Sequence, residues 1–451
     1  MRKGTIHRLI ELFEDAFHQL GYEVALDKLE SLAVMVHKAM TVQARNFHNL
    51  EHVFNFVIPS DPIQTLAALF HDIVYFQVDQ GFLPEIEKIV APYIREGEGN
   101  IYILDQIPRD DWPVWLALDV FDLKCGELIS PWTGLNEFLS AVVMNKSLEG
   151  VVSEKNLLTM TLCVEATIPF RSLETSGECP FDRLAERVRR ISDKWQALLG
   201  DDEIEDAIRL AVAFANKDVE NFAEDDPVCF LDNTWKLLPE TNVALRSREI
   251  YTVREYRQAI QKMEAFLSNL NPDHVFHQYA GVPDDGEFNR LSQRAHRNIE
   301  TARQYLQVKL LAQTILDALA EMSGGDAPLS LFMGDLPREG EESQRLENFL
   351  PQVADPEWLD TSSTIYRLLE AGWQGNAGFD LRTAPLTLFL YKVAAPGDLQ
   401  KMLSAARKLL AGESSAREFL LALDPYVRQA VASACAEMAF TRRERLLPYA
   451  A

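Results

Sequence analysis

Apolar residues recur along most of this chain at the three- and four-residue intervals of an amphipathic α-helix. One such face runs from Leu9 to Leu20, and Gly21 ends it. The same pattern predicts helices over residues 26–40, 65–76, 156–167, 204–221, 253–270, 288–322 and 399–410. Alternating β-branched runs are rare and Asn-Gly turns are absent. The sequence therefore predicts an all-α fold.

Two interruptions divide the helical pattern. Residues 323–344 are rich in glycine, proline and acids, which is typical of a linker or a long loop. A softer break lies at 238–248, and from it we predict an N-terminal domain over 1–240 and a helical C-terminal region over 241–451. The C-terminal region has no convergent polar motif. Its role stays open between regulation, dimerisation, partner binding and packing that extends the first domain.

Composition limits the classes of partner. The net charge of −24 over 451 residues opposes binding to nucleic acid or to anionic lipid, because both require basic residues to neutralise phosphates. No apolar run approaches the roughly 20 residues that span a bilayer, and the N-terminus lacks a signal-peptide core. Five scattered cysteines without a C-x-x-C pair favour a reducing compartment. We expect a cytoplasmic protein without membrane contact, for which a homo-oligomer is allowed.

Two short motifs carry the candidate chemistry. Three of the nine histidines lie between positions 48 and 71. His48 and His52 form an H-x-x-x-H pair, which on a helix would place both imidazoles on one face. His71 and Asp72 adjoin inside an apolar run, where such groups are costly unless something satisfies them. Hydrogen bonds to neighbours would do so, but a divalent metal ion explains both motifs together and predicts metal-assisted hydrolysis.

A metal site requires a further ligand, and two acids are candidates. Glu165 is the one acid in the apolar segment 157–167, and either a metal ion or an ion pair with Arg171 would satisfy it. Asp218 lies in a polar cluster that ends another apolar run. It could replace Glu165 as the ligand, line the pocket beside Asn216, or belong to an ordinary polar helix end. Arg45 is a candidate phosphate contact, because a guanidinium binds phosphate in a bidentate manner.

The His motifs resemble those of the HD superfamily of metal-dependent phosphohydrolases. Within it, H-N-x-x-H followed by an apolar helix that ends in His-Asp is similar to the class I cyclic-nucleotide phosphodiesterase catalytic domain. The segment 163–171 resembles that family's distal metal segment. The resemblance covers about residues 30–240. It implies that His52, His71, Asp72 and Glu165 bind metal, and that His48 donates a proton to the leaving oxygen.

The chain departs from the phosphodiesterase pattern at three points. It has Glu165 where the family has an aspartate, and Tyr75 where the family has a histidine. We find no counterpart of the glutamine that clamps the purine, so the identity of the substrate does not transfer. The resemblance implies one or two divalent ions (Zn, Mg, Mn or Fe), an HD-like helical bundle and a phosphorylated small molecule as substrate. We expect five residues to line the substrate pocket: Arg45, Asn49, Tyr75, Asn216 and Asp218.

Three functions follow as hypotheses. The first is a metal-dependent phosphohydrolase that cleaves a phosphoester, for example a nucleotide or a cyclic nucleotide, with His48 and Asp72 as catalytic residues. The second is a regulatory or binding protein that keeps an HD fold without turnover. The third, a di-iron oxygenase of HD type, requires additional histidines after the His-Asp pair. It ranks last because none occurs between His71 and His274.

Overall fold

The computed structural model describes residues 4–97, 99–172, 179–195, 198–247, 250–336, 343–372, 379–381 and 383–451. Its fold is all-α, with one small sheet. The chain divides into two compact units: unit 1 comprises Met1–Ala223 and Asn271–Ala295, and unit 2 comprises Glu224–Leu270 and His296–Ala451.

Unit 1 contains the elements up to α11. The α-helices are α1 (Thr5–Gln19), α2 (Leu26–Met40), α3 (Leu50–Phe56), α4 (Pro62–Phe70), α5 (Phe76–Asp79), α6 (Pro84–Val90), α7 (Trp112–Phe121), α8 (Leu135–Leu148), α9 (Glu154–Ala166), α10 (Pro180–Lys194) and α11 (Asp201–Asp218). The strands are β1 (Ile94–Gly97), β2 (Asn100–Ile103) and β3 (Leu128–Ile129). They form an antiparallel sheet in the order β1-β2-β3, with Ile94 opposite Ile103 and Ile101 opposite Ile129.

Helix α9 organises the core of unit 1. It packs against α4, α7, α8 and α11, and residues on all its faces, including Leu158 and Leu162, are fully buried. A helix that is apolar on every side belongs in a core. This helix therefore packs against both α4 and α11, and the candidate site lies at the ends of those two helices.

Helix α4 is shorter than its apolar pattern predicts. It begins at Pro62, capped by the Asp61 side chain, which accepts a hydrogen bond from the Gln64 backbone N–H. The pattern predicts a helix to residue 76, but α4 ends at Phe70. Two α8 side chains accept the backbone N–H groups that follow, because Ser140 Oγ binds that of Val74 and Asn136 Oδ1 binds that of Phe76, each at 3.1 Å.

Unit 2 contains the remaining helices, and α14 extends across the division at Ala295. The helices are α12 (Pro227–Thr241), α13 (Val253–Asn269), α14 (Asp285–Ser323), α15 (Leu329–Met333), α16 (Thr364–Ala371), α17 (Pro385–Val393), α18 (Pro396–Leu410), α19 (Ala416–Ala422), α20 (Pro425–Met438) and α21 (Arg443–Leu446). Short 3-10 segments occur in unit 1 at Pro131–Thr133, Glu220–Ala223 and Pro272–His274. In unit 2 they occur at Val243–Arg246, Leu346–Asn348, Phe440–Arg442 and Leu447–Tyr449. Each unit has its own large hydrophobic cluster.

The division of the chain differs from the single boundary expected near residue 240. That position falls inside α12, which belongs to unit 2, whereas the segment Asn271–Ala295 returns to unit 1. The expected linker at 323–344 lies within unit 2 and contains α15, and its residues 337–342 lie outside the described residues. The segment rich in glycine and proline is thus a loop inside one unit. Local composition predicts irregular backbone, but it does not predict which segments share a hydrophobic core.

Candidate metal centre

Three side chains from three helices converge in unit 1. The ligand atoms of His52, His71 and Asp218 all lie within 4.8 Å of one another. The Nε2 atoms of His52 and His71 are 3.2 Å apart. Asp218 Oδ1 lies 3.4 Å from His52 Nε2 and 3.6 Å from His71 Nε2. These residues come from the first turn of α3, the end of α4 and the last residue of α11. The group is therefore a candidate metal centre.

The spacing of these atoms suits a metal ion. Nitrogen and oxygen ligands held about 2.0–2.2 Å from a common zinc ion in a tetrahedron lie roughly 3.3–3.6 Å from one another. The three measured distances, 3.2, 3.4 and 3.6 Å, are close to that range. Two imidazoles and a carboxylate are also a donor set that suits zinc and iron. The residues present therefore fit a divalent transition-metal ion.

Asp72 borders the group on the imidazole side. Its Oδ2 lies 3.0 Å from His71 Nε2 and 3.5 Å from His52 Nε2. It is not one of the three residues whose ligand atoms all lie within 4.8 Å of one another. Asp72 is thus placed to bind the same ion as the histidines or to bridge towards a second one.

The His71 imidazole is held in one orientation. It is 1% exposed, and its Nδ1 lies 2.8 Å from the carbonyl oxygen of Ala68. A carbonyl can only accept, so Nδ1 carries the proton and donates it. Nε2 is then left to face the cluster, as a metal-binding histidine requires.

Helix α3 begins between the two histidines of the H-x-x-x-H pair. The pattern predicts both on one helix face, but Asn49 is the N-cap, and its Oδ1 accepts the backbone N–H groups of Glu51 and His52 at 2.8 and 3.3 Å. His48 therefore lies in the bend that precedes the helix. The two imidazoles still meet, with ring centroids 5.7 Å apart. Asn49, for which a substrate contact stays a prediction, fixes the start of the helix.

Charge within the cluster is balanced between imidazoles and carboxylates. Burial acts to lower the pKa of His71, but Asp72 and Asp218 outweigh it and raise that pKa to about 10. Burial acts to raise the pKa of Asp218, but hydrogen bonds from His52 and His71 lower it to about 2. Burial acts to lower the pKa of His52, but Asp218 and Asp72 raise it. Burial acts to raise the pKa of Asp72, but the neighbouring histidines hold it well below its ordinary value. The protonated imidazoles thus balance the negative charges of the two carboxylates. A bound metal ion would displace these protons and balance the carboxylates in their place.

His48 and Tyr75 lie side by side at the edge of the cluster. Their ring centroids are 4.6 Å apart in an edge-to-face arrangement, and the charge of His48 helps to lower the pKa of Asp72. His48 is partly exposed, as is Tyr75. Both are therefore placed where a bound molecule could reach them.

The guanidinium of Arg45 is committed to the protein itself. Its side chain is fully buried and forms an ion pair with Asp79, with Nη2–Oδ2 at 2.6 Å. Nη1 also donates a hydrogen bond to the backbone carbonyl of Asp72 at 2.6 Å. Arg45 was expected to bind phosphate. The structure instead places it behind the site, where it holds the backbone of Asp72.

Glu165 lies outside the metal-capable group. Its Oε1 accepts hydrogen bonds from the guanidinium groups of Arg171, at 2.9 Å, and Arg187, at 2.7 Å. Its Oε2 is buried without a hydrogen-bond partner among the described residues. The ion-pair alternative therefore describes Glu165. Asp218, the alternative to Glu165 in the sequence, lies in the cluster with the two histidines.

Asn216 is tied to the backbone of His277. Its Nδ2 donates to the His277 carbonyl at 2.7 Å, and its Oδ1 accepts the His277 backbone N–H at 2.9 Å. This double hydrogen bond fixes the segment Asn271–Ala295 to α11. Both ends of the Asn216 amide are thus engaged with the protein, and its contact with substrate stays a prediction.

Glu137 in α8 is a neighbour of the site that the sequence analysis missed. Burial, followed by the nearby charges of Asp72 and Asp218, raises the pKa of Glu137 to about 8. Its Oε2 is buried and has no hydrogen-bond partner among the described residues. The same signal that drew attention to Glu165 was present here, because Glu137 is the one acid in the apolar segment 135–148.

Comparison of this chain with protein-family models, with curated proteins and with solved structures finds no match. In the part of the chain that the structure describes, no helix combines the length and apolarity needed to cross a membrane.

Proposed function

We propose that this protein is a metal-dependent phosphohydrolase of HD type, with its site in unit 1. The observation that carries the proposal is the convergence of His52, His71 and Asp218, bordered by Asp72. The order of these residues along the chain, and the position of His48 beside them, resemble those of the HD motifs and support the proposal. One or two divalent ions would bind there, with zinc, manganese or iron favoured by the mixed imidazole and carboxylate ligands.

The residues divide the chemistry between them. A bound ion would lower the pKa of a water molecule and polarise a phosphoryl group. His52, His71 and Asp218 would hold that ion, while Asp72 would complete its coordination or bridge to a second ion. His48, four residues before His52 and partly exposed, would donate a proton to the leaving oxygen. Arg45 is a positioning residue, because it holds the Asp72 backbone.

The substrate is a phosphoester in this proposal. With Arg45 committed to Asp79, the charge of the phosphate would be balanced chiefly by the metal. A nucleotide or a cyclic nucleotide is the class that the HD resemblance favours. The net charge of −24 argues for a small molecule over nucleic acid.

The proposal is tested by separating metal binding from turnover. The full-length protein is reconstituted with zinc, manganese or iron(II), dialysed, and measured for metal content and for hydrolysis of a panel of phosphodiesters and phosphomonoesters. We expect His48→Ala to retain the metal and to lose about 100-fold or more in kcat, the contribution typical of a positioned acid. His18→Ala, which alters an exposed histidine of α1, is the matched control and should match the wild type.

Two results would count against the enzyme. Stoichiometric metal without turnover on any phosphoester would favour the regulatory HD-fold alternative. An absence of bound metal after reconstitution would show that His48, His52 and His71 have a structural role and do not form a metal site.

A further inference from the structure

Unit 2 contains a cavity that no part of the proposed phosphohydrolase uses. It is a partly open cavity of about 570 Å³, a volume that includes open solvent, and it is lined by residues that include Tyr251, Tyr256, Lys309, Gln313 and Asp380. The lining residues come from α13, α14, α15 and α17 and from the segments between them. This cavity combines one buried ion pair, aromatic rings and one amide.

The charged groups of the wall neutralise each other. Lys309 Nζ lies 3.0 Å from Asp380 Oδ2, and both side chains are less than a tenth exposed. The same oxygen accepts hydrogen bonds from Trp235 Nε1 at 3.0 Å and from the Tyr256 hydroxyl at 2.5 Å. Because these charges are already paired, the described wall favours a neutral ligand over an ion.

Gln313 supplies the unsatisfied polar group. It lies on α14, is only 4% exposed, and lines the cavity. Its Oε1 is buried without a hydrogen-bond partner among the described residues. A buried amide oxygen without a partner is unfavourable, so a ligand that donates a hydrogen bond to it would gain affinity.

The remaining described wall is aromatic and aliphatic. The rings of Tyr251 and Tyr256 have centroids 5.6 Å apart at an interplanar angle of 27°. Apolar side chains, among them Leu329, Met333 and Leu386, also line the cavity. Aromatic and aliphatic surfaces of this kind bind planar rings, while a few polar groups set their orientation.

We propose that unit 2 binds a neutral planar heterocycle that carries a –CO–NH– edge, as nucleobases do. The ring N–H would donate to Gln313 Oε1, and the adjacent ring carbonyl would accept from Gln313 Nε2. A side-chain amide is complementary to such an edge because it offers an acceptor and a donor in one plane. This site is independent of the metal centre of unit 1.

The test measures binding of uracil to the full-length protein by isothermal titration calorimetry. The matched ligand is 1,3-dimethyluracil, which has the same ring and no N–H donor. We expect uracil to bind, and dimethyluracil to bind about ten- to hundredfold more weakly, because the Gln313 oxygen would stay unpaired.

Two substitutions on α14 locate the site. Gln313→Met keeps the length of the side chain and removes the amide, so it should weaken uracil binding about ten- to hundredfold. Gln304→Met alters an exposed glutamine of the same helix and should leave binding unchanged. Circular dichroism confirms that both variants are folded. If Gln313→Met does not fold, the comparison of the two ligands on the wild type decides.

Three results would overturn the proposal. The first is an absence of uracil binding at millimolar concentrations. The second is equal affinity for uracil and dimethyluracil, which would describe an apolar cavity. The third is unchanged uracil binding in folded Gln313→Met.

Discussion

Asp218 and Glu165 are both acids near the end of an apolar helix, yet their surroundings differ. Asp218 ends α11 opposite two imidazoles, whereas Glu165, one residue before the end of α9, lies opposite two guanidinium groups. An imidazole can release its proton and bind a metal, but a guanidinium keeps its charge. The two acids should therefore respond differently to loss of charge.

Asp218→Asn should weaken metal binding by at least about 100-fold, because even changes behind the ligands commonly cost 10- to 100-fold. Glu165→Gln should retain the metal and lower the free energy of unfolding by about 1–3 kcal/mol, because Arg171 and Arg187 keep an acceptor oxygen but lose the negative charge that pairs with them. Metal content after dialysis and urea denaturation measure the two effects. Loss of metal in Glu165→Gln with retention in Asp218→Asn would reverse the ligand assignment.

The stability of the metal-free protein should depend on pH through His71. Its pKa is raised to about 10 in the folded state, against about 6.5 for an unperturbed histidine. The folded state therefore holds this proton more tightly than the unfolded state. The resulting stabilisation is complete below about pH 6.5 and is lost as the pH rises towards 10.

Asp72→Asn should reduce this dependence, since the charge of Asp72 is the main cause that raises the pKa of His71. The measurement is the free energy of unfolding by urea in the presence of a chelator, from pH 6 to 10. Wild type should lose more stability over this range than Asp72→Asn. An equal slope in both proteins would contradict the assignment.

At the scale of elements, α8 holds the segment that follows the His-Asp pair. Ser140 and Asn136 accept the backbone N–H groups of Val74 and Phe76, so the segment between α4 and α5 is hydrogen-bonded to α8. Glu137 lies on the same helix, and it is close enough to the cluster for the charges of Asp72 and Asp218 to help raise its pKa. Helix α8 is therefore a support for the site.

Ser140→Ala should lower the free energy of unfolding by about 1–3 kcal/mol, because the buried N–H of Val74 loses its acceptor. It should also weaken metal binding, since Asp72 precedes this segment. Ser31→Ala, an exposed serine of α2, is the control and should change stability by less than about 0.5 kcal/mol. A Ser140→Ala protein with unchanged stability and metal affinity would show that the hydrogen bond to α8 does not support the site.

At the scale of the whole molecule, each unit has its own hydrophobic cluster and its own buried polar centre. Unit 1 has the candidate metal ligands, and unit 2 has the ion pair of Lys309 and Asp380. A change at one centre should act mainly on the unit that contains it.

Calorimetry of the full-length protein should resolve these effects. Asp380→Ala should destabilise unit 2 by about 3–5 kcal/mol, because Lys309 is left buried without its partner. Metal removal should lower the transition of unit 1. We expect the two changes to shift different transitions. A single transition lowered by both would mean that the units unfold together.

The hydrophobic pattern alone determined the all-α class and most of the long helices, including α2, α9, α11 and α13. It also pointed to His52, His71 and Asp72, since an imidazole and a carboxylate in an apolar run demand a partner. These inferences depend on periodicity and on burial cost, which are local properties of the sequence.

Tertiary structure decided which partner each buried polar group received. Asp218 lies beside the histidines, Glu165 forms ion pairs with two arginines, and Arg45 forms an ion pair with Asp79. It also decided that α4 ends before residue 71 and that Asn271–Ala295 belongs to unit 1. Each of these depends on groups distant in sequence that packing brings within hydrogen-bond distance, and periodicity along one segment contains no information about them.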